Sequence, residues 1–132
     1  MTDSETLLRY RLNQAQESLN EARRMSKENF SSRTIINRCY YAAFYILLAV
    51  LIKKGVPLKT SKHVGVISIF DKEFVLPGKI EKRYSEIVHR LFKVRQMADY
   101  KELVHPTLEE AISHLSSAED FVNRITRFIE SS

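Results

Sequence analysis

The chain has 132 residues, of which 44% are hydrophobic and 28% are charged, a balance typical of one globular domain. Three glycines and three prolines are too few for the turns of a sheet protein of this length, so we expect an all-α fold. The single cysteine excludes an intramolecular disulfide and suits a reducing compartment. The composition therefore predicts one all-α domain over residues 1–132.

The net charge of +5 is unevenly distributed. Residues 53–95 contain eleven Lys/Arg against four Asp/Glu, whereas the rest of the chain contains ten against twelve. Such a bias favours a surface for phosphate or an acidic partner, although solvated helix faces give the same pattern. The polar, acidic start of the chain is unlike a signal peptide, and we expect a cytoplasmic protein.

The first helix is predicted from Ser4, as its N-cap, to about Glu28. Apolar residues recur along one face at spacings of four and three: Leu8, Leu12, Ala15, Leu19 and Ala22. A turn over residues 29–32 follows, with Ser31 or Ser32 capping the next helix. So short a connection predicts that the first two helices pack antiparallel.

The second helix is the predicted centre of the bundle, because residues 39–52 are all apolar or aromatic and such a helix is normally buried. Fourteen residues are too few to cross a bilayer. The helix is predicted to end at Lys53 and Lys54, before Gly55. Five side chains form a polar edge on its first half: Thr34, Asn37, Arg38, Tyr41 and Tyr45. This edge is either a structural hydrogen-bond network or a surface that faces a ligand or partner.

A third helix is predicted from a cap at Thr60 or Ser61 to about Phe74. His63 falls in its first turn. Such a histidine is normally solvated, and the alternative is that it contacts a phosphate.

The fourth helix is predicted from about Lys79, with a core stripe that comprises Ile80, Tyr84, Ile87, Val88, Leu91 and Phe92. Arg95 and Asp99 lie one turn apart near its end. They form either a plain surface ion pair or a site in which Arg95 reaches Asn37 and Tyr41 and offers donors to a phosphate.

The last helix begins at a predicted capping box, Thr107 to Glu110, and continues to about Glu130. Its predicted core stripe comprises Leu108, Ala111, Leu115, Ala118, Val122, Ile125 and Ile129.

Standard catalytic motifs are missing from the sequence. It has no glycine-rich phosphate loop, and its four histidines show no metal-ligand spacing with one another or with Cys39. Cys39, within the apolar run, is expected to be a core residue rather than a nucleophile. We expect no metal and no cofactor.

Four ordered segments resemble the HEPN domain family (higher eukaryotes and prokaryotes nucleotide-binding), in its small stand-alone prokaryotic branch: residues 37–44, 59–63, 95–100 and 118–122. The resemblance implies an up-and-down antiparallel bundle of four to five helices, often a homodimer. It also implies a minimal nucleotidyltransferase as the partner in a toxin–antitoxin-type pair. In many such domains an Arg and a His, with four to six residues between them, cut RNA without metal at a dimer interface, and Arg95 corresponds to that Arg.

The sequence departs from this family pattern at Tyr100, where the shortest form of the motif has histidine. His105 lies ten residues after Arg95, roughly 15 Å along a continuous helix. The catalytic candidates are Arg95, Tyr100 and His105. The candidates for binding a nucleotide or RNA are Asn37, Arg38, Tyr41, His63, Arg95 and Asp99.

Three functions therefore remain open at the level of sequence. The first is a nucleotide- or RNA-binding module that works with a nucleotidyltransferase. The sequence favours this function. The second is a metal-independent RNase toxin. The third is a helical dimerisation or interaction protein without a ligand.

Overall fold

Five α-helices make up the fold in a computed structural model that describes residues 2–99 and 105–131. Their bounds are α1 (Asp3–Lys27), α2 (Ser32–Lys53), α3 (His63–Phe70), α4 (Lys82–Ala98) and α5 (Leu108–Glu130). No strand occurs in these two ranges. The predicted all-α helical bundle is confirmed.

The core is built around α2, against which α1, α4 and α5 all pack. Its apolar side chains are almost fully enclosed, including Tyr40, Ile46 and Leu47, each with no exposed surface. At 22 residues the helix is longer than its apolar run, and by length and composition it could cross a bilayer. However, 72% of its most apolar stretch is buried inside the bundle. Burial in the core accounts for its hydrophobicity.

The α1–α2 hairpin agrees with the prediction except at its start. Thr2, not Ser4, caps α1, because its hydroxyl accepts a hydrogen bond from the Glu5 N–H at 3.1 Å. The Ser31 hydroxyl accepts from the Thr34 N–H and caps α2, as predicted. The turn between the helices is tight enough to place Asn29 at a φ of 60°.

The third helix is shorter than predicted. It begins at His63 after the N-cap residue Lys62, so neither Thr60 nor Ser61 is the cap. The Thr60 hydroxyl instead accepts a hydrogen bond from the Lys62 N–H at 3.1 Å and shapes the approach to the helix. A π-helical turn, Asp71–Val75, continues α3 to near the predicted end.

The last two helices differ from prediction at one boundary and one side chain. The N–H groups of Lys79 and Ile80 both turn back to the Phe74 carbonyl, so α4 begins only at Lys82. The capping box of α5 is confirmed in both directions. Leu108 is 42% exposed and does not belong to the core, because the first three residues of α5 are all exposed. The other predicted core residues of α5 are buried.

Candidate functional site

His63 stands at the start of α3, against three aromatic residues of α2. Its Nδ1 lies 2.8 Å from the hydroxyl oxygen of Tyr40. Its ring stacks on Phe44, with centroids 3.9 Å apart and an angle of 22° between the planes. The Tyr41 ring meets it edge-on at 6.0 Å. The histidine is thus half-buried and packed against α2, and the expectation of a solvated turn histidine is wrong.

Arg95 approaches the same aromatic group from α4. Its guanidinium carbon lies 5.4 Å from the Tyr40 ring centroid and 5.3 Å from that of Tyr41, within the range of cation–π attraction. Its Nη2 donates to the Tyr41 hydroxyl at 3.3 Å. The Nε lies 3.6 Å from Asp99 Oδ2 but makes no hydrogen bond in the described part of the chain, although it is buried. The guanidinium is therefore held mainly by aromatic faces.

Arg95 and His63 line one shallow groove of about 460 Å³. The other residues that line it are Tyr41, Lys62, Val64, Phe92 and Gln96. A second groove, of about 410 Å³, shares Tyr41 and His63 with the first, and Arg11 and Tyr45 also line it. Three cationic side chains line the two grooves, Lys62 and Arg95 the first and Arg11 the second, a lining suited to an anionic ligand.

Asn37 and Arg38 are engaged with each other rather than with Arg95. Arg38 donates to the Asn37 side-chain oxygen from Nε at 3.2 Å and from Nη2 at 2.9 Å. Its Nη1 lies 3.5 Å from a Glu21 carboxylate oxygen. Of the two predicted contacts of Arg95, the one with Tyr41 is present, but no hydrogen bond joins Arg95 to Asn37 in the described ranges. Asn37 instead lines a recess with Asp99.

Comparison with known proteins identifies the family. The HEPN domain family matches residues 8–128. The chain belongs to the HEPN domain family. A "UPF0332 protein" of Thermotoga maritima is 37% identical over 98% of this chain and 96% of its own length. Two proteins of Methanocaldococcus jannaschii bear the name "Putative toxin". One is 39% identical over 88% of this chain and 84% of its own length. The other is 28% identical over 89% of this chain and 78% of its own length.

Burial sets the protonation states in this HEPN domain. It lowers the pKa of His63 below its ordinary value, and the positive charge of Arg95 lowers this pKa further. Burial also raises the pKa of Tyr40 far above its usual range, although Arg95 opposes the change. Near neutral pH the imidazole is therefore uncharged and the phenol keeps its proton, so the positive charge against the Tyr40 ring is that of Arg95.

The remaining catalytic candidates are not brought to the groove by the described structure. His105 is exposed in the segment before α5 and makes no described contact with Arg95. Tyr100 lies outside the described residues. Within residues 2–99 and 105–131, no group of His, Cys, Asp and Glu is arranged to hold a metal ion.

Tyr40 is the contact residue that sequence reasoning missed. It lies next to the predicted polar edge but belongs to the buried face of α2. One general signal pointed to it, because a buried tyrosine hydroxyl needs a hydrogen-bond partner. The identity of that partner depended on the path of the chain between α2 and α3.

Proposed function

We propose that this HEPN domain is a toxin-like module that binds RNA or a nucleotide through a phosphate at Arg95. The observation that carries the proposal is the position of Arg95, whose guanidinium lies against Tyr40 and Tyr41 and lines an open groove. A planar guanidinium matches a phosphate in shape and charge. The ring of Tyr41, which lines the groove, offers an aromatic surface against which a base can stack.

The surroundings of the groove strengthen the case for an anionic ligand. Lys62 lines the same groove, and Arg11 lines the adjoining one. Within residues 2–99 and 105–131, the carboxylate that pairs with the guanidinium is that of Asp99, which is about half exposed, so it neutralises Arg95 only weakly in water. A phosphate that enters the groove therefore meets a net positive field.

The biological role proposed here rests on the relatives. Two of them bear the name "Putative toxin", and we propose that this chain likewise belongs to a toxin–antitoxin-type pair in the cytoplasm, with a minimal nucleotidyltransferase as its partner. We also propose that it works as a homodimer. Growth arrest on expression of the chain alone, relieved by co-expression of a nucleotidyltransferase encoded beside it, is the expected result; toxicity unchanged by that protein contradicts the pairing.

The binding proposal is tested with a fluorescently labelled, single-stranded RNA and fluorescence anisotropy in EDTA at two salt concentrations. Arg95→Ala is expected to weaken binding about tenfold or more, since a charge-assisted hydrogen bond contributes roughly 1.5–3 kcal/mol. It should also lower the salt dependence by about one phosphate contact. Arg90→Ala is the matched control, because Arg90 is an exposed arginine on the same helix.

The alternatives give different results in the same experiment. Equal affinity of the wild type, Arg95→Ala and Arg90→Ala removes Arg95 from the site. No binding to RNA or to nucleotides by the wild type leaves an interaction protein whose polar edge serves dimerisation. An RNase that uses Arg95 with Tyr100 or His105 would cleave the probe. Its cleavage would be lost on substitution of Arg95 and of whichever of Tyr100 and His105 takes part.

A further inference from the structure

We infer that His63 is the proton-transfer residue of an RNA-cleaving centre in this groove, with Tyr40 as its positioning residue and Arg95 as its phosphate-binding residue. The inference rests on the proposed binding of RNA at Arg95 and extends it from binding to cleavage. It assigns the role of the absent motif histidine to a residue of a different helix.

The first step of the argument is the fixed orientation of the imidazole. Tyr40 occupies Nδ1 at 2.8 Å, and Phe44 packs flat against the ring at 3.9 Å between centroids. Nε2 makes no hydrogen bond within the described part of the chain, and it is not among the buried polar atoms that lack a partner there. The residue lines both grooves. Nε2 is thus the nitrogen left for a ligand.

The second step is the proximity of the imidazole to the phosphate-binding group. The rings of Tyr40 and Tyr41 each contact both His63 and Arg95. Their centroids lie 5.7 and 6.0 Å from that of the imidazole, and 5.4 and 5.3 Å from the guanidinium carbon. Both residues line the groove of about 460 Å³. A phosphodiester bound by Arg95 therefore lies beside His63, and the first requirement for general acid–base catalysis is that such a group come within hydrogen-bond reach of the proton.

The third step is the protonation state. Burial and Arg95 lower the pKa of His63, so the neutral imidazole predominates at pH 7. The hydroxyl of Tyr40 donates to Nδ1 in one tautomer of the imidazole and accepts from Nδ1–H in the other. When it accepts from Nδ1–H, the lone pair of Nε2 is free to act as a base. When Nε2 has taken a proton, the same contact stabilises the imidazolium, since both nitrogens are then donors.

The reaction balances with the RNA alone. His63 Nε2 takes the proton of a ribose 2′-hydroxyl, and the 2′-oxygen attacks the adjacent phosphorus. The bond from phosphorus to O5′ breaks, and Arg95 stabilises the charge on the phosphoryl oxygens. O5′ takes a proton from water, and the imidazolium releases its proton to solvent. The products are a 2′,3′-cyclic phosphate and a 5′-hydroxyl end, with no change of oxidation state.

The test measures cleavage and binding on the same purified samples in EDTA, with the labelled RNA as substrate and its all-2′-deoxy counterpart as a non-cleavable ligand. His63→Asn keeps a polar group near the position of Nδ1 but removes Nε2. We expect it to lower kcat about 100-fold or more, the range for a general acid or base, with KM within twofold of the wild type.

Two further variants separate positioning from folding. Tyr40→Phe keeps the aromatic packing and removes only the hydroxyl that holds Nδ1, so we expect kcat to fall about tenfold at unchanged KM. His114→Asn is the matched control, a half-buried histidine of α5 that lies outside both grooves, and it should cleave like the wild type. Arg95→Ala, purified identically, reports any contaminating nuclease.

The outcomes distinguish this inference from the proposed function. A wild type that binds RNA and does not cleave it overturns the inference and leaves the binding module intact. A wild type that does not bind RNA at all overturns both the inference and the proposed function. A His63→Asn variant with raised KM and normal kcat makes His63 a binding residue only, and activity that depends on His105 instead of His63 assigns the proton transfer elsewhere.

Discussion

His63 Nδ1 and the Tyr40 hydroxyl meet at 2.8 Å although 23 residues separate them in the chain. Tyr40 is fully buried in the central helix, whereas His63 is the first residue of α3. This contact therefore ties the end of the α2–α3 connection to the core. It also places His63 beside Arg95 of α4, in the groove that both residues line.

Removal of the Tyr40 hydroxyl should destabilise the fold measurably. We expect Tyr40→Phe to lower the free energy of unfolding by about 1 kcal/mol, the usual contribution of one hydrogen bond, as measured by urea denaturation. Tyr45→Phe is the control, because Tyr45 is a half-buried tyrosine of the same helix whose hydroxyl makes no described hydrogen bond. Equal losses in the two variants would show that the contact with His63 does not stabilise the fold.

Stability should fall in acid because of His63. Its pKa in the folded state lies below the ordinary 6.5, so the unfolded chain takes up the proton first as pH falls. The stabilising contribution is complete above about pH 6.5 and is lost as the pH falls through the lower, folded-state pKa. His114, whose pKa burial also lowers, contributes in the same direction.

The measurement is the urea midpoint at pH 7.5 and at pH 5.5. His63→Asn should show a smaller difference between the two midpoints than the wild type, and the double variant His63→Asn/His114→Asn a smaller one still. His105→Asn serves as the control, since His105 is exposed. A His63→Asn variant with the pH dependence of the wild type would contradict the prediction.

The sequence predicted the elements that depend on local pattern. The apolar run of α2 identified the core helix, and the capping box at Thr107 fixed the start of α5. The contact between Arg95 and Tyr41 is one of two alternatives that the sequence left open for Arg95, the other being a plain surface ion pair with Asp99.

The pairing of His63 with Tyr40 was beyond sequence reasoning for a physical reason. Helical periodicity shows which side chains share a face of one helix, but it does not show where a loop brings the next helix. The Thr60 hydroxyl bonds to the Lys62 N–H and moves the start of α3 to His63. His63 therefore packs against the rings of Tyr40, Tyr41 and Phe44, although its position in a first turn predicted a solvated side chain.

Cys39 should be chemically inert in the folded protein. Burial raises the pKa of its thiol to about 12, with a smaller contribution from Glu119, and only the thiolate reacts readily with disulfide reagents. We expect almost no reaction with an aromatic disulfide at pH 8 and one full equivalent in guanidinium chloride. Ser116→Cys places a thiol at an exposed position of α5 and should add one fast equivalent. Rapid labelling of native Cys39 would contradict its burial.

Gly65 should tolerate no side chain while Thr60 is present. A Cβ at this position would lie 2.5 Å from Thr60 Cγ2, so Gly65→Ala forces Thr60 aside. Alanine alone would favour the helix by about 1 kcal/mol, but overpacking typically costs about 1–3 kcal/mol. We expect net destabilisation, and a shift of the His63 imidazole NMR signals because Thr60 shapes the start of α3.

The matched variant is Thr60→Ser, which removes the clashing methyl group and keeps the hydroxyl that accepts from the Lys62 N–H. In this background Gly65→Ala should no longer destabilise and should recover the helix-forming advantage of alanine. A double-mutant cycle by urea denaturation measures the difference, because residues in contact show non-additive changes. Additive effects of the two substitutions would mean that Thr60 moves away freely, and that the approach to His63 is less constrained than its contacts imply.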